Sequence, residues 1–385
     1  PCLRCRPESA PHSWAWKGAE TTFLRALTLI EQGELDGSLE TLASRLGISD
    51  RYLRQLFQRH LGMPPKQYAQ IQQLMFAKQL LHTSQISITE VAYASGFQST
   101  RRFNDAFQKL FRLTPTQVRR ERAALPSRNH LSLAFRGPFD WAHMLDFYRL
   151  RAIEGMELID EQSYQRHFVL GEGTGWFKAS MAQSHLDIEF EMERLSDLRH
   201  LVARLRRMFD LDADLISIEA HLEQLAPGLV RRTGIRIPGV WNAWEAGVRA
   251  VLGQQVSVKA AIGQLNLLVS TLAASEGSTR YFPTPEQVQM SDLSFLRMPE
   301  RRKETLKRLA DYVRLHPMDS PMAWLSLSGI GPWTVDYAQL RGESRSHCFL
   351  TGDLIVKKAL AKFPQLTAES VAPWGSYATF HCWSH

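Results

Sequence analysis

The chain carries one two-helix pattern twice. SLETLASRLGISDRYLRQLFQRHLGMPP (38–65) and SITEVAYASGFQSTRRFNDAFQKLFRLTP (87–115) share an order: serine, short helix, glycine, second serine, longer helix, proline. Apolar residues recur three and four apart in both, which is the helical period. A unit this short cannot bury its apolar face alone, so the repeat demands a helical bundle. Ser38 is expected to cap the first helix, with Leu39, Leu42, Ala43 and Leu46 inside. Gly47 allows the turn, and Ser49 caps a second helix carrying Leu53, Leu56 and Phe57. In the second unit Ser87 and Glu90 form a capping box. Val91 and Ala92 face inward, Gly96 turns the chain, and Ser99 opens a helix with Phe103, Phe107 and Leu110 inside. One long helix, Pro65 to His82, joins the units.

The second helix of each unit shows a polar, basic face. Arg51, Arg54, Gln55, Gln58 and Arg59 line the first, and Thr100, Arg101, Arg102, Asn104 and Lys109 the second. Such side chains read base edges and phosphates when a helix lies in a major groove. The bland alternative is an amphipathic bundle with a solvated face. Charge favours the groove. Residues 1–130 hold 18 Lys and Arg against 10 Asp and Glu, whereas residues 131–385 hold 28 against 29. A basic third on a near-neutral remainder suits a polyanionic partner. The run GF-x4-RF-x3-F-x6-TP, Gly96 to Pro115, resembles the AraC/XylS family of transcription activators. That resemblance implies promoter or operator DNA as a partner, and RNA polymerase beside it.

Elsewhere the pattern changes. Residues 123–130 read as a linker. LSLAFRG (131–137), ELIDEQSYQRHFVL (157–170), GWFKASMA (175–182) and HLDIEFE (185–191) alternate as strands do. With a helix over 139–152 they make a small α+β module, 131–200. Residues 201–385 read as helical. The expected fold is therefore mainly α: residues 20–122 as tandem helix-turn-helix, then the α+β module, then an all-helical region. No run of 18 apolar residues and no signal-type segment is present, so no membrane partner is expected. Four cysteines are too few for a disulfide framework, and a reducing cytoplasm is the expected setting. Cys2 and Cys5 form a C-x2-C pair, half of a zinc-site pattern.

The chemistry concentrates in LSGIGPWTVDYAQLRGESRSHCFLTGDLIVKK (327–358). A helix over roughly 318–326 is expected to enter a tight turn. Gly329 and Gly331 suit that turn, because a Cβ would strain it. A new helix starts at Pro332, a favoured first position. The backbone of Gly329, Ile330, Gly331 and Thr334 can then hold a phosphate without reading sequence. Its carbonyls offer a structural monovalent cation a seat. Asp353 precedes another helix, so it either caps that helix or does chemistry there. Asp336 is the rival acid. Trp333 and Trp383 read as core or as walls of an aromatic pocket.

Taken with VRAVLGQQVSVKAA (248–261), YFPTPEQV (281–288) and PWGSYATFHCW (373–383), this stretch resembles the AlkA family of the helix-hairpin-helix DNA glycosylase superfamily. The match covers residues 130–385. It implies a TBP-like α+β module ahead of the helical glycosylase region. Asp353 then stands where the superfamily has its catalytic aspartate. Trp333, Tyr337 and Trp383 wall the base pocket, and Gln255 is the wedge that fills the gap left by a flipped base. Many of these glycosylases place a bulkier apolar residue at the wedge. Strand-cleaving members carry a lysine two residues after the second hairpin glycine; here that position is Trp333. The resemblance implies a monofunctional enzyme acting on alkylated double-stranded DNA at the nucleoid, with no cofactor needed for catalysis. With the AraC-like segment, and residues 1–12 resembling the tail of an Ada-type zinc domain, the layout is similar to an Ada–AlkA fusion of the adaptive response. Zinc would bind only with the rest of such a domain, and the methyl-accepting cysteine of that domain is not in this sequence. The competing readings are a transcription factor whose C-terminal region binds damaged DNA without catalysis, and a glycosylase for hypoxanthine or uracil.

Overall fold

The computed structural model describes residues 18–31, 35, 38–120, 129–273 and 275–384. Cys2, Cys5 and nearly all of the expected linker lie outside the described residues. The chain divides into two compact units. The first holds residues 1–130 with 194–203, and the second 131–193 with 204–385.

The first unit is helical: α1 (Gly18–Glu31), α2 (Leu39–Arg45), α3 (Asp50–Leu61), α4 (Pro65–Thr83), α5 (Ile88–Ala94), α6 (Thr100–Phe111) and α7 (Pro115–Arg120). The repeat in sequence is a repeat in caps. Ser38, Ser49, Ser87 and Ser99 each accept the backbone N–H three residues on, and Ser87 with Glu90 completes a capping box. Each cap satisfies an N–H that the first helical turn leaves without a partner. Gly47 and Gly96 occupy the left-handed region at the two turns. Phe57, Phe103 and Phe107 are fully buried. Two expected core residues sit further out: Leu46 is half-buried and Leu110 is 41% exposed. Leu110 is the penultimate residue of α6, where few neighbours remain to cover it.

The second unit begins with β1 (His130–Ala134), α8 (Trp141–Arg149), β2 (Glu157–Ile159), β3 (Ser163–Leu170), β4 (Gly173–Met181) and β5 (His185–Met192). The strands form one sheet in the order β1-β5-β4-β3-β2, antiparallel along β5-β4-β3-β2. α9 (Leu198–Met208) and α10 (Leu215–Leu225) lead into the helices that matter for function: α11 (Ala243–Gly253), α12 (Val258–Leu272), α13 (Pro285–Met290), α14 (Glu300–Leu315), α15 (Pro332–Gly342), α16 (Leu354–Leu360) and α17 (Gly375–Trp383). The segment entering the Gly-x-Gly turn is a six-residue 3₁₀ helix, Pro321–Ser326, rather than an α-helix. Ser320 caps it and Trp324 anchors it in the core.

A buried ion network ties sheet to helix. Arg166 on β3 pairs with Glu157 on β2 at 3.1 Å and with Glu245 on α11 at 2.5 Å. Arg249, one turn further along α11, pairs with Glu245 at 2.8 Å and Glu157 at 3.3 Å. Burial alone would raise the Glu245 carboxyl, but the two guanidinium groups hold it well below its usual range. The network therefore fixes α11, and α11 ends where the loop carrying Gln255 begins.

Candidate active site

Asp353 is the N-cap of α16, and its side chain is held from two helices. Its Oδ1 accepts the N–H of Ile355 at 2.8 Å and of Val356 at 3.1 Å. The same oxygen accepts the indole N–H of Trp383, at the end of α17, at 3.1 Å. Three donors on one oxygen leave Oδ2 with no hydrogen bond among the described residues. Asp353 is half-buried and lines two neighbouring concavities. The helix cap thus occupies one oxygen of the carboxylate and leaves the other without a hydrogen bond among the described residues.

The first concavity is a cavity of about 420 Å³. Trp333 and Tyr337, one turn apart on α15, stack along one wall with centroids 5.3 Å apart. Trp383 and Phe147 lie nearly parallel, 6.3 Å apart, at another. His143, half-buried and held toward its neutral form by burial, meets Ser384 Oγ at 3.3 Å. The size suits one planar base, and the aromatic faces suit stacking. Trp333, Tyr337, Trp383 and Asp353 therefore meet in space as the sequence pattern led one to expect. Asp336 does not line the cavity; burial raises its carboxyl.

The second concavity is an open groove. Gln255, Ser257, Arg301, Arg302, Gly329, Gly331 and Asp353 lie along it. Gln255 is exposed on a left-handed backbone (φ 56°), at the tip of the loop between α11 and α12. The next residue, Val256, is 41% exposed and lines both groove and cavity. Gln254 fastens this loop to the hairpin, donating to Gly329 O at 3.1 Å and to Thr334 Oγ1 at 3.2 Å.

The hairpin departs from expectation in two ways, at Gly331 and at the N–H groups of Ile330 and Thr334. Gly329 is required: its φ is +92°, and a Cβ would lie 2.1 Å from Thr305 Oγ1. Gly331 is not strained, since its φ is −110° and a Cβ would meet nothing within 4 Å. Ile330 and Thr334 point inward, 6% and 2% exposed, and their N–H groups bond to Leu327 O and Gly331 O. The outward-facing backbone is therefore that of Gly329 and Gly331. The carbonyls of Ser328 and Gly329 already accept from Arg308 and Gln254.

In the first unit Arg51, Arg54, Gln55, Gln58 and Arg59 on α3 are exposed together. Arg101, Arg102, Asn104 and Lys109 on α6 are likewise exposed, while Thr100 is half-buried. Arg54 also pairs with Asp50 at 3.1 Å on the surface, an interaction worth little.

Sequence reasoning missed Phe147, His143 and Arg151, which come to the cavity from α8 and its end, and Arg301 and Arg302 in the groove. The resemblance motifs all lie after residue 247, so nothing in them pointed to these side chains of α8. Arg301 and Arg302 open α14 in a run, ERRKE, that also fits a solvated face.

A family model described as the AlkA N-terminal domain matches residues 130–242, and one described as a helix-turn-helix domain matches residues 42–121. The chain is 32% identical to the Mycobacterium tuberculosis protein named "probable bifunctional transcriptional activator/DNA repair enzyme AlkA", over 100% of this chain and 84% of that one. It is 33% identical to DNA-3-methyladenine glycosylase 2 of Escherichia coli, over 66% of this chain and 96% of that one. Among solved structures, a 3-methyladenine DNA glycosylase from Archaeoglobus fulgidus superposes with a TM-score of 0.55 at 16% identity, over 65% of this chain and 96% of that one. At that identity the likeness is one of fold.

Proposed function

Because the chain belongs to the family of bifunctional transcriptional activator and DNA repair AlkA proteins, we propose that its second unit is a monofunctional DNA glycosylase that releases alkylated bases, with Asp353 as the catalytic carboxylate. The observation that carries the residue assignment is the division of labour on Asp353. Oδ1 is spent on three N–H donors, Oδ2 receives none among the described residues, and Asp353 lines both cavity and groove.

The chemistry follows from that placement. Breaking an N-glycosidic bond leaves positive charge on the sugar, and a fixed carboxylate oxygen stabilises it or orients the attacking water. An alkylated purine that already carries positive charge leaves readily. Trp333, Tyr337 and Trp383 attract such a base through their ring faces. Gln255, with Val256 beside it, fills the gap in the duplex while Gly329, Gly331, Arg301 and Arg302 hold the backbone. Hydrolysis needs no redox partner, so no cofactor enters this reading. No lysine lines the cavity, which supports a hydrolase without strand cleavage.

The first unit is the AraC-type helix-turn-helix region. In this proposal α3 and α6 read operator DNA through Arg51, Arg54, Gln55, Arg59, Arg101, Arg102 and Asn104. Thr100, half-buried at the start of α6, contributes at its edge. RNA polymerase is the proposed partner of the activator, and the nucleoid the proposed location. Among the described residues no helix is long and apolar enough to cross a membrane.

The test is incubation with methylated duplex DNA. Free methylated base and an intact strand bearing an alkali-labile site are the expected products. Borohydride is expected to trap no protein–DNA adduct. A trapped adduct would show Schiff-base chemistry, and absence of released base would remove the glycosylase reading.

A further inference from the structure

The base cavity contains a cation that no carboxylate answers. Arg151, at the end of α8, is half-buried and lines the cavity. Its guanidinium lies over the Phe147 ring, 3.7 Å from the centroid. Its one side-chain hydrogen bond, at 3.2 Å, goes to the backbone oxygen of Phe147. Burial, with Arg341 and Arg249 nearby, pushes its pKa down to about 10, so it is still a cation at neutral pH.

Neighbouring arginines are placed differently. Arg249 also lines the cavity but is paired with Glu245 and Glu157. Arg341 is buried, bonded to Tyr337 Oη and Pro238 O, and does not line the cavity. Of the two acids that do line it, Asp146 is paired with Arg149, and Asp353 holds its helix. Among the described residues, Arg151 therefore lines the cavity with no carboxylate partner and no side-chain hydrogen bond beyond the one to Phe147 O.

A half-buried, unpaired cation is costly unless something completes it. Resting on the glycosylase reading above, we propose that Arg151 determines specificity by donating to an acceptor atom of the extruded base. A cationic base gains from the ring faces but is repelled by Arg151. A neutral base with a carbonyl or ring-nitrogen acceptor gains the hydrogen bond. It also gains when it leaves. The C1′–N bond breaks and its electron pair departs with the base. Water adds its oxygen to C1′ and releases a proton to solvent. A neutral base thus leaves as an anion beside the guanidinium and then takes up a proton from solvent. One cavity accordingly serves two charge classes, and Arg151 sets the balance between them.

The test compares two duplexes, one with a single N7-methylguanine and one with a single hypoxanthine, under single-turnover conditions with saturating full-length protein. Arg151→Gln is expected to lower the ratio of hypoxanthine to methylguanine release by about ten- to a hundredfold, the range for a hydrogen bond to a charged group. Arg151→Lys, which keeps the charge, is expected to recover part of the ratio. An unchanged ratio in Arg151→Gln, or equal loss on both duplexes in both variants, would overturn the proposal. So would a wild type that releases methylguanine and no hypoxanthine. A wild type that releases neither base contradicts the glycosylase reading itself, and the two failures are thereby distinguished.

Discussion

At the scale of single residues, capping and the proposed chemistry can share the Asp353 carboxylate without competing. Oδ1 of Asp353 takes three N–H donors, which fixes the plane of the group and leaves Oδ2 oriented. The sequence offered cap and catalyst as rivals because it shows one residue, not two oxygens. The hairpin glycines divide in a similar way. Gly329→Ala forces a Cβ onto Thr305 Oγ1 at positive φ, and is expected to cost about 1–3 kcal/mol in denaturant unfolding. Gly331→Ala meets open space and is expected to stay within about 0.5 kcal/mol of the parent. It should instead weaken DNA binding, because the new Cβ stands between backbone and phosphate. Equal destabilisation by both substitutions would contradict this division.

At the scale of elements, the helices of the first unit were legible because their signals are local. Serine caps, turn glycines and apolar spacing lie within a few residues of what they control. The strands of the second unit were legible for the same reason, through alternation. The helix expected over roughly 318–326 is a 3₁₀ helix at Pro321–Ser326, since an apolar run of that length suits either kind and only the backbone decides. The buried ion network was not foreseen. Its members, Glu157, Arg166, Glu245 and Arg249, are far apart in sequence and look like ordinary surface charges there. Glu245→Ala leaves Arg166 with a single buried partner and takes one from Arg249. It is expected to cost about 3–5 kcal/mol in denaturant unfolding. A loss below about 1 kcal/mol would show that the network is not what fixes α11.

At the scale of the whole molecule, two kinds of DNA contact are proposed. The exposed faces of α3 and α6 and the groove with Arg301 and Arg302 both carry cations that the proposed function sets against phosphates. Binding should therefore weaken steeply with salt. The double variant Arg301→Ala/Arg302→Ala is expected to reduce the slope of log affinity against log salt for a lesion duplex by about two. An unchanged slope would take these arginines out of the interface. The cavity was only half legible. Trp333, Tyr337, Asp353 and Trp383 sit in motifs with a recognisable order, whereas Phe147, His143 and Arg151 arrive from a helix more than a hundred residues earlier in the chain. Tertiary packing alone brings them to the base. The central claim is that the Asp353 carboxylate serves the reaction as well as the helix. The most direct test is single-turnover release of N7-methylguanine by the wild type and by Asp353→Asn, whose amide oxygen can still cap α16. A loss of at least about a hundredfold with melting little changed is expected. Release at the wild-type rate by a folded Asp353→Asn protein would contradict it.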